Sequence, residues 1–208
     1  MDAAAINQGE LIEWGVAARP LPGEARSGDA HVIEPFPGGV LVAAVDGLGH
    51  GSEAADAAEA ATDILMRNAD EPPVNLVRRC HQGLWGTRGA AISLASFTES
   101  NRTISWLGVG NVDASLIRHG RGSRTVRESL ILRGGVVGYR LPILRPSVIS
   151  VARGDVLVLA TDGIAGYSLN EHRTMDPPLS VAEHILANFA RETDDALVLV
   201  ARYRGMDG

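Results

Sequence analysis

The chain has 208 residues, 45% of them hydrophobic and 21% charged, an ordinary globular composition that can bury one substantial core. Its net charge of −6, with basic residues scattered, argues against a generic nucleic-acid binder, which clusters Lys and Arg against phosphates. Cys80 is the only cysteine, which excludes an internal disulfide and a multi-cysteine zinc site and fits a reducing compartment.

Met1 to Glu13 lacks a basic start followed by an apolar stretch. No apolar run approaches the roughly 20 residues that span a bilayer. The expectation is one domain over residues 1–208, soluble and cytoplasmic, with neither membrane nor nucleic acid as partner.

In chain order, Pro20 to Gly28 reads as a mobile loop. Val40 to Val45 is a short apolar run suited to a strand buried on both faces. Ser52 is a candidate N-cap for a helix to about Asn68, with apolar Ala57, Ala61, Ile64 and Leu65 on one face. After Pro72 and Pro73, Val74 to Trp85 can form a second helix. Ala91 to Phe97, Thr103 to Val109 and Ala114 to Arg118 read as strands of an antiparallel meander, with a turn at Glu99 to Asn101.

Arg118 to Arg133 is the densest basic segment and reads as a solvated hairpin or loop, with Arg121 to Arg127 a second mobile loop. Val156 to Ala160 and Ala196 to Ala201 are further buried strands. Between them Ser180 and Glu183 make a capping box, with Ala182, Ile185, Leu186 and Phe189 on one helix face. The order favours an α+β domain with helices packed on antiparallel sheets.

Chemistry concentrates at strand ends. In GVLVAAVDGLGHG, Gly39 to Gly51, an apolar strand runs into Asp46 and a loop with three glycines. A strand end holds a carboxylate on rigid backbone, and glycines let carbonyls approach a metal or phosphate, although an Asp-Gly turn is the plain alternative. DVLVLATDG, Asp155 to Gly163, delivers Asp162 in the same way, and TDDALVLV, Thr193 to Val200, places Asp194 and Asp195 at a strand start. Converging carboxylates repel unless a cation neutralises them, and Mg²⁺ or Mn²⁺ prefers oxygen ligands.

With SGD at Ser27 to Asp29, DGLGHG at Asp46 to Gly51, GVGNVDASLIR at Gly108 to Arg118, LVLATDG at Leu157 to Gly163 and DDALVLV at Asp194 to Val200, the chain resembles the metal-dependent protein phosphatases of type 2C. Within them it is most similar to the small bacterial SpoIIE/RsbX-like branch. The resemblance implies a β-sandwich of two antiparallel sheets flanked by helix pairs. It also implies a two-metal centre, Mn²⁺ or Mg²⁺, that hydrolyses phosphoserine or phosphothreonine in a regulatory partner of the stressosome or anti-sigma antagonist type. By position Asp46 would bridge both metals, the Gly47 carbonyl would bind one, Asp162 and Asp194 would bind the other, and Asp29 would support the centre. Asp195 is the alternative to Asp194.

His50 is either a general acid for the leaving oxygen or a turn residue. Gly28 stands where many larger members carry an acidic residue, which implies weaker hold on one metal. The resemblance implies that Gly108 to Arg118 is a central strand pair. A pseudophosphatase and a small-phosphoester hydrolase are the alternative functions.

Cys80 lacks the C-x5-R loop of a thiol phosphatase and reads as a buried structural thiol. His31, His81, His119, His172 and His184 show no ligand spacing, and Trp14, Trp85 and Trp106 read as core.

Overall fold

The computed structural model of the protein describes residues 11–119, 125–167 and 174–205. The strands are β1 (Ile12–Arg19), β2 (Asp29–Phe36), β3 (Gly39–Gly47), β4 (Ala90–Thr98), β5 (Thr103–Val109), β6 (Asp113–His119), β7 (Thr125–Ser129), β8 (Ser147–Ser150), β9 (Val156–Ala160) and β10 (Ala196–Tyr203). Helices α1 (Ser52–Arg67) and α2 (Pro73–Gly83) lie between β3 and β4, and α3 (Pro178–Phe189) lies between β9 and β10. Among the described residues the strands form two antiparallel five-stranded sheets, ordered β1-β10-β9-β6-β7 and β2-β3-β4-β5-β8.

Residue parity explains the layering. Successive side chains of a strand point to opposite faces, so in β3 Val40, Val42 and Ala44 enter the core between the sheets. Leu41, Ala43 and Val45 face the layer containing α1 and α2. In β10 Leu197, Leu199 and Ala201 point between the sheets, while Ala196, Val198 and Val200 pack with Val181, Ala182 and Ile185 of α3. Each central strand is covered on both faces, hence the continuous apolar runs. The result is helix, sheet, sheet, helix in four layers.

Several expectations are corrected. The Gly108 to Arg118 segment does not form a strand pair: β5 and β6 belong to opposite sheets, and the chain crosses the sandwich at residues 110–112. Ser52 is the first helical residue of α1 and the N-cap is Gly51 at φ 78°, a left-handed conformation that suits glycine. The capping box at Ser180 and Glu183 does not form, because α3 starts earlier, at Pro178. Since α2 stops at Gly83, Trp85 falls beyond the helix and is 77% exposed, whereas Trp106 is core as expected.

The Pro20 to Gly28 loop is pinned at both ends, as described below. Of the second expected loop, residues 121–124 lie outside the described residues and Thr125 onward is strand β7. His172 also lies outside them.

Cys80 is fully buried on α2, its Sγ facing the Ala61 carbonyl at 3.8 Å, and burial pushes the thiol up to about 12. Reaction needs the thiolate. An aromatic disulfide reagent at pH 8 should therefore label the folded protein negligibly and label it stoichiometrically in denaturant, as read by absorbance.

Candidate metal centre

Strand parity also delivers the site. Asp46 continues the inward series of β3, and Asp29 sits directly opposite it in the β2–β3 ladder. Both carboxylates therefore project from one face at one end of the inter-sheet space. From the other sheet, Thr161 follows the inward residues Leu157 and Leu159 of β9. Its hydroxyl donates to Asp29 Oδ2 at 2.7 Å and accepts the Leu197 N–H at 2.9 Å, so one side chain ties the two sheets together at the site.

Asp162 is the next residue and accepts a hydrogen bond from Asn111 Nδ2 at 2.5 Å. Asp194 precedes β10 and caps the Asp195 N–H at 3.0 Å. Asp195 does something different. It is 3% exposed, and its two oxygens accept the N–H groups of Leu21 at 2.7 Å and Gly28 at 2.9 Å. It clamps the loop that leads into Asp29. Of the acidic pair, Asp194 is the one whose side chain is not spent on that clamp.

The glycines are fixed by contact. A Cβ on Gly47 would lie 2.1 Å from the Ala54 carbonyl oxygen, and one on Gly163 would lie 1.8 Å from that of Asp195. Gly28 is equally constrained. A Cβ there would meet Ala54 Cβ at 2.9 Å and the Gly47 carbonyl at 3.3 Å, so the missing acidic side chain has no room without a shift of α1.

His50 lies in the exposed loop after Gly47, and its Nδ1 stands 3.0 Å from Glu24 Oε1. When protonated, it would lower the Asp194 carboxyl, the smallest of the influences on that group.

The carboxylates feel one another. Burial pushes Asp46 up to about 8, with repulsion from Asp29, Asp162, Asp194 and Asp195 adding to it. Asp29 is pushed up to about 7 by burial, against the lowering effect of Thr161 and with repulsion from Asp195, Asp162 and Asp194. Asp194 is raised by burial and then by Asp162. Among the described residues no group of three or more Asp, Glu, His or Cys side chains is already arranged to hold a metal ion. A hard ion such as Mg²⁺ does not require such a group, since it keeps several waters and is held through one or two carboxylates. An all-oxygen, mutually repelling donor set fits such ions.

Sequence reasoning brought Asp29, Asp46, Gly47, Asp162 and Asp194 forward, and the structure gathers them at one end of the sandwich. It missed the side-chain roles of Asn111 and Thr161. Asn111 was visible inside the quoted GVGNVDASLIR and Thr161 inside LVLATDG, but neither carries a charge.

The fold is that of the PP2C-type phosphatases. The chain belongs to the SpoIIE family, whose model, Stage II sporulation protein E, matches residues 37–204. It is 22% identical over 195 residues to phosphoserine phosphatase RsbX of Bacillus subtilis (strain 168), covering 94% of this chain and 96% of that protein. A chain in the bacterial stressosome, a modular system adapted to control secondary messenger signalling, is 29% identical with TM-score 0.85, covering 93% of this chain and all of that one. The crystal structure of RsbX in complex with magnesium superposes with TM-score 0.82 at 20% identity, covering 98% of this chain and 100% of that one.

A carboxyl whose pKa is higher folded than unfolded binds its proton more tightly in the native state, so stability falls as pH rises through that interval. Metal-free protein should therefore lose melting temperature between about pH 4 and pH 8, the span from the ordinary Asp value to those of Asp29 and Asp46. Asp46→Asn should raise the metal-free melting temperature at the alkaline end, by roughly 2 to 4 °C for each kcal/mol of repulsion relieved. Differential scanning fluorimetry across pH checks both, and an unchanged slope in the variant would contradict the crowding.

Proposed function

We propose that this protein is a metal-dependent serine/threonine phosphatase that dephosphorylates a regulatory partner protein, with its carboxylate centre holding two divalent ions. The observation that carries the reading is the convergence of Asp29, Asp46, Asp162 and Asp194 at one end of the sandwich, with burial and repulsion raising three of them. Likeness to a phosphoserine phosphatase and to a stressosome chain supports a phosphorylated partner of the stressosome or anti-sigma antagonist type. Among the described residues no helix is long and apolar enough to cross a membrane. A cytoplasmic setting fits the free, buried Cys80.

In this reading Asp46 would serve both ions, the Gly47 carbonyl one of them and Asp162 and Asp194 the other, with Asp29 supporting the centre, for Mn²⁺ or Mg²⁺. Such a pair of ions supplies an activated water and charge neutralisation for the phosphoryl oxygens. The chain's own residues position that chemistry. Asn111 holds the Asp162 carboxylate by one oxygen, and Thr161 fixes Asp29 against the opposite sheet. Asp195 keeps the loop before Asp29 closed on the site. His50, its ring set by Glu24, is the proposed donor of a proton to the departing seryl or threonyl oxygen.

The deciding experiment assays purified protein on a phosphoserine peptide and on p-nitrophenyl phosphate, with chelator and with Mn²⁺ or Mg²⁺. Turnover should vanish in chelator, return with metal, and fall by at least about 100-fold in Asp162→Asn. Full activity without metal would remove the reading. Preference for the small ester over every phosphopeptide would instead favour a small-phosphoester hydrolase.

The role of His50 separates by leaving group. Nitrophenolate departs without a proton, while an alkoxide needs one. His50→Gln should lower kcat on the phosphoserine peptide by about 100-fold and on p-nitrophenyl phosphate far less. Equal losses on both would point to a structural role.

A further inference from the structure

Nine aromatic residues occur in the chain, three each of Trp, Tyr and Phe, and all nine lie among the described residues. Only two of them are exposed, Trp85 at 77% and Tyr139 at 80%. The two come from different loops that the backbone fastens together. Ala90 and Val137 exchange both backbone hydrogen bonds at 2.9 Å, and the Gly138 N–H donates to His81 Nδ1 at 3.0 Å. Gly138 has φ 98°, and a Cβ on it would meet Leu84 Cβ at 2.8 Å and Gly89 Cα at 3.2 Å. Gly138 thus packs directly on Leu84, and their next neighbours in sequence are Tyr139 and Trp85.

The same loops run to the metal centre. The Gly89 carbonyl accepts the Leu48 N–H at 3.0 Å, two residues past Asp46, and Leu48 is itself 37% exposed. A strip therefore leads from Asp46 over Leu48 and Gly89 to the two exposed rings.

Resting on the phosphatase reading above, we propose that Trp85 and Tyr139 are a docking site for an apolar side chain of the phosphorylated partner, near its phosphoserine or phosphothreonine. A phosphoresidue presented to Asp46 brings its own flanking chain across the adjoining rim. Elsewhere that rim carries Glu24 and Asp194, which offer an apolar side chain nothing. Beside the strip the Glu53 carboxylate is paired with Arg88. Trp and Tyr supply large contact areas and dominate binding energy at protein interfaces. Loops already fastened by hydrogen bonds lose little freedom on binding.

The test uses the full chain with Mn²⁺ and a panel of phosphoserine peptides in which one Leu or Phe is moved along otherwise Gly- and Ser-rich flanks. Wild-type protein should favour at least one apolar placement by about tenfold in kcat/KM, through KM, the effect of a single hot-spot contact. Combined Trp85→Ala and Tyr139→Ala should abolish that preference while leaving kcat and p-nitrophenyl phosphate turnover unchanged, which also shows that the variant is folded. No preference in wild type, or a preference that survives in the double variant, overturns the docking site. A wild-type dimer that the double variant dissolves would assign the rings to a second copy of this chain and overturn it too. Absence of metal-dependent turnover on every substrate would overturn the phosphatase reading itself, and the docking site with it.

Discussion

Two aspartates face each other across neighbouring strands at the end of the inter-sheet space, and the remaining design follows from keeping them there. Asp29 and Asp46 are directly paired in the ladder, with Asp162, Asp194 and Asp195 close enough to repel them. Like charges opposite one another destabilise a sheet, and a buried charge needs a partner. The arginines flanking this end are committed elsewhere, Arg26 to Asp56 and Glu59, and Arg88 to Glu53. With these arginines engaged, the cluster calls for charge compensation that a bound cation or protons would supply. That requirement turns a geometric observation into a chemical one.

The sandwich holds this unfavourable cluster by cross-linking it to its most rigid parts. Thr161 and Asp195 both lie on the inward parity of the β10–β9 sheet and both reach across to residues of the β2–β3 side. Asp195 is the more informative. Its carboxylate is buried as deeply as a core residue, yet both oxygens are satisfied by backbone donors, so its charge is stabilised locally and the loop before Asp29 is closed. Two adjacent aspartates, Asp194 and Asp195, are thereby split between a side chain near the centre and a structural clamp. Strand parity and hydrogen bonding separate them, and sequence position does not.

What the sequence revealed and concealed divides along the same physical line. Strands buried on both faces, such as β3, β9 and β10, write themselves as unbroken apolar runs and were legible to within a few residues. Strands β1, β2, β7 and β8 sit at sheet edges, carry mixed faces that include Glu34, Pro35 and Arg127, and left no such mark. Asp46, Asp162 and the Asp194–Asp195 pair were legible because each borders an apolar run, whereas Asp29 came forward only through the family resemblance. Asn111 and Thr161 act through single hydrogen bonds, which no periodicity records. Trp85 was misread as core because its aromatic character was visible and the end of α2 at Gly83 was not.

The misread crossover between β5 and β6 matters most for the site. A hairpin joining these strands within one sheet would have turned Asn111 back alongside its neighbours. Instead residues 110–112 carry the chain from the β2–β8 sheet to the β1–β7 sheet. The crossing is anchored on both sides. The Gly110 N–H donates to the Arg133 carbonyl, the Ser93 hydroxyl donates to the Val112 carbonyl at 2.6 Å, and Val112 is fully buried. Gly110, at φ 100°, permits the bend, and a Cβ there would meet Ala91 Cβ at 2.4 Å. Held between these two anchors, Asn111 is aimed at Asp162. The topology that joins the two sheets is thus also what orients a carboxylate of the centre, so packing at the crossover and geometry at the site cannot vary independently.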